Sequence, residues 1–269
     1  MDRRDIEIVG LSGDPVRVDI AETGDGTQFV FLHGLVGLNE HWETVVGLVK
    51  HRVRCTMIEV PLLQLTGKDC SIDGVVYLTA KLLQSVSDSP VVLVGNSFGG
   101  HVATRLAIEY PELVQGLLLT GASGVIEKSM VSDIQIHPSR EWLRRKIAEL
   151  FYRPELHMRE SDLDRAHQEL STKLGRFAMV RLSRSARRNH LGDQLSRVRV
   201  PTLLIWGKQD VVTPPDAAQQ FHDRLQDSKL VWFDECGHVP MMEHAEAFAR
   251  EMLAFEETLR SNESMAHSR

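Results

Sequence analysis

The chain has 269 residues, 42% of them hydrophobic and 25% charged, enough for one large α/β domain with a buried core, and its net charge of −6 argues against the basic face a nucleic-acid binder needs. Cys55, Cys70 and Cys236 are odd in number and lack Cys-x-x-Cys spacing, which points away from a disulfide framework or zinc site and toward reduced thiols. Charges fill the N-terminus where a secretory signal needs an apolar core, and no apolar run approaches spanning length, so the expectation is a cytoplasmic protein without membrane or nucleic-acid partners.

In chain order, short apolar runs alternate with helix-period segments, the pattern of βα units in a mostly parallel sheet. Strands are predicted at Val16–Ile20, Phe29–Leu32, Arg54–Ile58, Val91–Val94, Gly116–Thr120, Thr202–Trp206 and Leu230–Phe233. Trp42, Val45, Val46 and Val49 mark one helix face; Ile72, Val75, Val76, Leu82 and Leu83 mark a second. Val102, Leu106, Ala107 and Tyr110 mark a third, stopped by Pro111. Residues 125–197 show no convincing strand. They carry helical starts at Ser139 and at Ser161 with Asp164, separated by Pro154, and read as a helical cap over the strand ends. The expected organisation is core over 1–124, cap over 125–197, core over 198–260 and a disordered polar tail over 261–269.

The most informative segment is Val91-Val92-Leu93-Val94-Gly95-Asn96-Ser97-Phe98-Gly99-Gly100, a β-branched run ending in Gly-x-Ser-x-Gly before an amphipathic stretch. A serine on so sharp a strand-to-helix turn needs neighbours without bulk, and the following helix aims its N-terminal amides at any negative charge formed there. A neutral hydroxyl also needs a base, and the base an orienter. Two loops at strand ends supply them: Gly207-Lys208-Gln209-Asp210 and Cys236-Gly237-His238. The order along the chain is Ser97, Asp210, His238. Asp234 and Glu235 compete with Asp210 as orienter, and Cys236 beside His238 is more simply a small buried residue than a nucleophile. The turn Phe31-Leu32-His33-Gly34-Leu35 places backbone amides near the elbow, so the N–H groups of Leu35 and Phe98 are the candidate oxyanion donors.

His33, Trp142, Arg181 and Val239 are candidate substrate contacts. Residues 125–197 hold fifteen Lys and Arg against ten Asp and Glu, which makes them +5 in a chain of −6. Arg176, Arg181, Arg184, Arg187 and Arg188 are read first as a solvated face, with Arg181 turned inward to a substrate carboxylate as the alternative. Met241 and Met242 divide between core filling and pocket lining. No His-Glu-x-x-His, Walker or Gly-x-Gly-x-x-Gly pattern occurs, so neither a metal nor a cofactor is expected.

Together the His33-Gly34 turn, the Gly95–Gly100 elbow, Gly207–Asp210 and Gly237-His238 resemble the α/β-hydrolase superfamily, in its serine-nucleophile branch. The Asn-Ser-Phe-Gly-Gly elbow and the ending Cys236-Gly237-His238 with Glu243-His244-Ala245 are similar to meta-cleavage-product hydrolases and related carboxylesterases. The chain departs from them at Val36-Gly37-Leu38, Val239 and Glu59–Leu65. The resemblance implies a mostly parallel eight-stranded sheet with a helical cap after the sixth strand, and hydrolysis through an acyl-enzyme on Ser97. Ester cleavage is the first expectation and carbon–carbon hydrolysis of dienoate-type substrates the second. A small-ligand sensor that retains the three residues stands as an alternative of another class. The expected partner is a small acyl substrate, and the chain a monomer or homodimer.

Overall fold

Burial on both faces marks the centre of the sheet. In the computed structural model, which describes residues 1–127 and 138–267, eight strands form one sheet. They are β1 (Asp2–Val9), β2 (Pro15–Thr23), β3 (Gln28–Leu32), β4 (Arg54–Glu59), β5 (Val91–Asn96), β6 (Val114–Thr120), β7 (Thr202–Gly207) and β8 (Ser228–Phe233). The order is β1-β2-β4-β3-β5-β6-β7-β8, with β1 and β2 antiparallel to their neighbours and the others parallel. Successive side chains point to opposite faces, so Val30, Leu93 and Leu204 join one core while Phe31, Val94 and Ile205 join the other.

The helices divide accordingly. On one face lie α2 (Ile72–Val86), α3 (Phe98–Glu109) and α8 (Pro215–Arg224); on the other lie α1 (Glu43–Val49) and α10 (Ala245–His267). The short α9 (Pro240–Glu243) leads into α10. Parallel strands buried on both faces read as near-continuous apolar runs, which is why β5 and β7 were visible in sequence.

Strand β1 was not predicted. Its pattern, DRRDIEIV, buries only Ile8, because it is an edge strand whose backbone pairing with β2 substitutes for an apolar face. Residues 261–267, expected as disordered tail, continue the α10 helix, while 268–269 lie outside the described residues.

Between β6 and β7 stand α4 (Arg140–Ala148), α5 (Pro154–His157), α6 (Glu160–Ser171) and α7 (Lys173–Arg188), with no strand among the described residues of that stretch. Ser139 caps α4 by accepting from Trp142 N at 3.2 Å, as its position suggested. Ser161 does not cap: α6 begins at Glu160, and Ser161 falls inside its first turn. Thr172, unremarked in the sequence, caps α7 through Gly175 N at 2.9 Å. Helix α6 is tied to the end of β4 by the Arg165–Glu59 ion pair, and its Asp162 carboxylate lies 3.3 Å from His41 in the turn after β3.

The chain passes from β3 to β4 on one side and then returns to lay β5 on the other side of β3. Loops leaving the carboxyl ends of β3 and β5 therefore diverge, and open α/β sheets bind ligands in that crevice.

Candidate active site

Ser97 leaves β5 with φ 54° and ψ −120°, a left-handed conformation that costs a non-glycine residue about 1–3 kcal/mol and persists only when its surroundings enforce it. The enforcement is backbone packing on both sides. A Cβ on Gly95 would stand 2.6 Å from Gly100 Cα, and one on Gly99 would stand 2.3 Å from the Leu32 carbonyl oxygen. Ser97 N donates to Thr120 O at 3.2 Å, while Ser97 O accepts from His101 N and Ser123 N. Asn96, whose side chain drew no role from the sequence, donates to Thr120 O and His238 O, each at 3.1 Å. It ties the elbow to β6 and to the histidine turn.

Asp210 follows β7 and is almost wholly buried. Its Oδ1 accepts from Val212 N at 2.8 Å and Thr213 N at 2.9 Å; its Oδ2 accepts from Thr213 Oγ1 at 2.8 Å and from His238 Nδ1 at 2.9 Å. Because a carboxylate only accepts, this contact places the imidazole proton on Nδ1 and leaves Nε2 as the basic nitrogen. Thr213 Oγ1 also lies 3.2 Å from His238 Nδ1, and Thr213 O accepts from Trp206 Nε1 at 2.8 Å. The Val212 N–H bond, two residues beyond the aspartate, is an Asx turn, and it brings Thr213 one residue further on against the same carboxylate; an aspartate followed three residues later by a hydroxyl was the signal available in sequence. Asp234 and Glu235, the competing carboxylates, are exposed and paired with Lys208 and Arg153. The Cys236 thiol is pushed up by burial, with the charges of Glu243 and Asp210 adding to it, so it stays protonated.

The histidine turn is bound to the helical stretch above it. His238 N donates to Leu150 O at 2.8 Å. Glu243 accepts from Gly237 N at 2.6 Å with one oxygen, and from Tyr152 N at 2.8 Å and Arg153 N at 3.1 Å with the other. Sequence placed Glu243 in a motif without giving it a role, because its three partners are backbone groups.

A cavity of about 150 Å³ opens where these elements meet. Ser97, His238, Leu35, Trp142 and Val239 line it, so two of the four candidate substrate contacts stand there. The other two do not. His33 is buried beneath the loop with Nδ1 2.7 Å from Gly34 O, and burial holds its pKa below the usual imidazole value. Arg181 lies on the outer side of α7, where a second groove includes it, because the helix turns Arg176, Met179 and Ser183 inward instead. Met242 lines the cavity and Met241 is core. Otherwise the wall is apolar, contributed by Leu143, Ile147 and Phe151 of the helical stretch, with Lys146 and the His41–Asp162 pair as further polar groups. Among the described residues, the Leu35 and Phe98 amides have no protein acceptor, and no His, Cys, Asp and Glu cluster is arranged to hold a metal.

The family model described as the alpha/beta hydrolase family matches residues 29–251. The chain belongs to that family. It is similar to the pimeloyl-[acyl-carrier protein] methyl ester esterase of Nitrosomonas europaea, 28% identical over 86% of this chain and 96% of that protein. It is equally similar to the 2-hydroxy-6-oxononadienedioate/2-hydroxy-6-oxononatrienedioate hydrolase of Burkholderia vietnamiensis, 29% identical over 90% and 92%. A solved alpha/beta hydrolase from the sediment metagenome of the Mar Chica lagoon superposes with a TM-score of 0.72 at 27% identity, covering 90% of this chain and 95% of that one. The meta-cleavage product hydrolase of Pseudomonas fluorescens shares the fold, with a TM-score of 0.79 at 20% identity over 94% and 97%. This alpha/beta hydrolase is therefore a hydrolase by family. Among its described residues no helix is long and apolar enough to cross a membrane.

Proposed function

We propose that this alpha/beta hydrolase cleaves carboxylic esters through an acyl-enzyme on Ser97. His238 Nε2 takes the Ser97 proton as Oγ attacks the carbonyl carbon, and Asp210 holds the imidazolium that results. The Leu35 and Phe98 amides receive the oxyanion. The imidazolium returns its proton to the leaving alkoxide. Water, deprotonated by the same imidazole, then releases the acid and regenerates the serine. The helices between β6 and β7 act as a cap that excludes bulk water during these steps.

The observation that carries this reading is the buried Asp210–His238 contact beside a strained Ser97 in one cavity. The size of that cavity favours small acyl groups: a volume of about 150 Å³ matches a benzene-sized guest. Free, buried cysteines suit a reducing compartment, and we place the protein in the cytoplasm. Turnover of short-chain nitrophenyl esters by the wild type, with a loss of at least about 10⁴-fold in Ser97→Ala, is the expected result. A phosphonate probe should add one adduct, on Ser97, by intact mass. A single slow turnover would favour the sensor, and labelling elsewhere would remove the mechanism.

Carbon–carbon hydrolysis remains as a second reading on one observation. Arg176 lines the cavity, with Nη1 donating to Leu170 O and Ser171 O and no carboxylate partner among the described residues, so it can meet an anionic substrate. Ring-fission dienoates turned over faster than neutral esters, with KM for the dienoate alone raised in Arg176→Ala, would reverse the ranking.

A further inference from the structure

Helix α7 carries Lys173, Arg176, Arg181, Arg184, Arg187 and Arg188 and no acidic residue. Its inner stripe, Ala178, Met179, Leu182 and Ala186, is buried. Phe177, Arg181, Arg184 and Arg188 recur at helical spacing and so share the outer side. Across from them stands the N-terminus of α2, held against α7 by Ile72 N donating to Ser185 Oγ at 3.0 Å. Between the two helices runs a groove of about 430 Å³, lined by Ser71, Phe177, Arg181, Arg184, Ser185 and Arg188.

Arg105, Arg140, Arg144 and Arg165 each meet a carboxylate, whereas Arg181, Arg184 and Arg188 meet none among the described residues. Like charges one turn apart on a helix repel, and outside residues 125–197 the chain carries a net −11, so the concentration of guanidinium groups is local. Asp73, the acid in the first turn of α2, is taken by Arg105. Phe177 is 62% exposed at one end of this cationic side, an apolar ring left in water one turn before Arg181.

We propose that this groove is a binding site for a phosphate group carried on a partly apolar ligand, separate from the catalytic cavity on the other side of α7. Planar guanidinium forks match tetrahedral oxyanions two N–H groups at a time, and the positive end of α2 faces the same space. Phe177 would cover the apolar part of the ligand. The phosphate can belong to a soluble phosphorylated molecule or to a phospholipid headgroup, and both present the same chemistry to the arginines.

Binding is measured at low salt with the full chain, using pyrophosphate by calorimetry and co-sedimentation with phosphatidylglycerol vesicles against phosphatidylcholine vesicles. The wild type should bind in one arm, pyrophosphate identifying a soluble ligand and phosphatidylglycerol a headgroup. The Arg184→Ala, Arg188→Ala double variant should bind at least about tenfold more weakly with an unchanged Tm, since both residues are exposed. Absence of binding in both arms, equal binding by the double variant, or equal binding of a poly-glutamate peptide would overturn the proposal, the last by assigning the groove to an acidic protein.

Discussion

At the scale of single residues, Asp210 is fully committed: two amides, a hydroxyl and an imidazole satisfy its two oxygens. Asp210→Asn would present an N–H to His238 Nδ1 and force the other tautomer, with the proton on Nε2. Ester turnover should fall about 10⁴-fold in kcat with little change in KM, measured at steady state; a loss under tenfold would mean another group orients the imidazole. His101 makes a different prediction. Burial pushes its pKa from the ordinary 6.5 down to about 3, so below pH 6.5 the unfolded chain takes up a proton that the folded chain refuses. Stability is unaffected by this group above pH 6.5 and falls toward pH 3, by up to about 1.4 kcal/mol per pH unit. Urea unfolding at several pH values should show that slope, and His101→Gln should flatten it. His101 lies in the first turn of α3, and its burial comes from neighbours distant in the chain, which the local sequence does not show.

At the scale of elements, the Glu243 carboxylate joins the turn before His238 to the backbone that follows α4. Bonds from amides to a charged acceptor are stronger than neutral ones, and a carboxamide keeps only one good acceptor oxygen. Glu243→Gln should therefore lower kcat by about tenfold and speed amide exchange at 150–153 and 236–238 together. Faster exchange at only one of the two segments would show that they are not coupled through this side chain. The cap reading gains content from the same contact, because movement of α4 would reach the histidine through two hydrogen-bonded connections. The elements themselves were legible where burial is two-sided, as in β5 and β7, or where a cap residue announces a start, as at Ser139. Strand β1 was not, since pairing of an edge strand leaves little trace in its side chains.

At the scale of the whole molecule, two cores on opposite faces of one sheet hold the strand ends in register. Phe248 on α10 is fully buried and its ring lies 6.0 Å from that of Trp42. Phe248→Ala should cost about 3–5 kcal/mol in denaturant unfolding. Activity per folded molecule should persist, because the cavity lies at the strand ends and Phe248 does not line it. Loss of activity without loss of stability would place Phe248 in the path from core to site.

Sequence alone determined the parts whose physics is local. A serine flanked by Gly95 and Gly99 between a strand and a helix has few conformations open to it, and loops that follow parallel strands must emerge at one end of the sheet. Tertiary structure decided what depends on rotation and distance. Whether Arg176 or Arg181 faces inward is a matter of about 140° of turn around α7, fixed by which side packs on the core. Thr213, Asn96 and Glu243 act through backbone groups and neighbours far along the chain, and only folding brings those together.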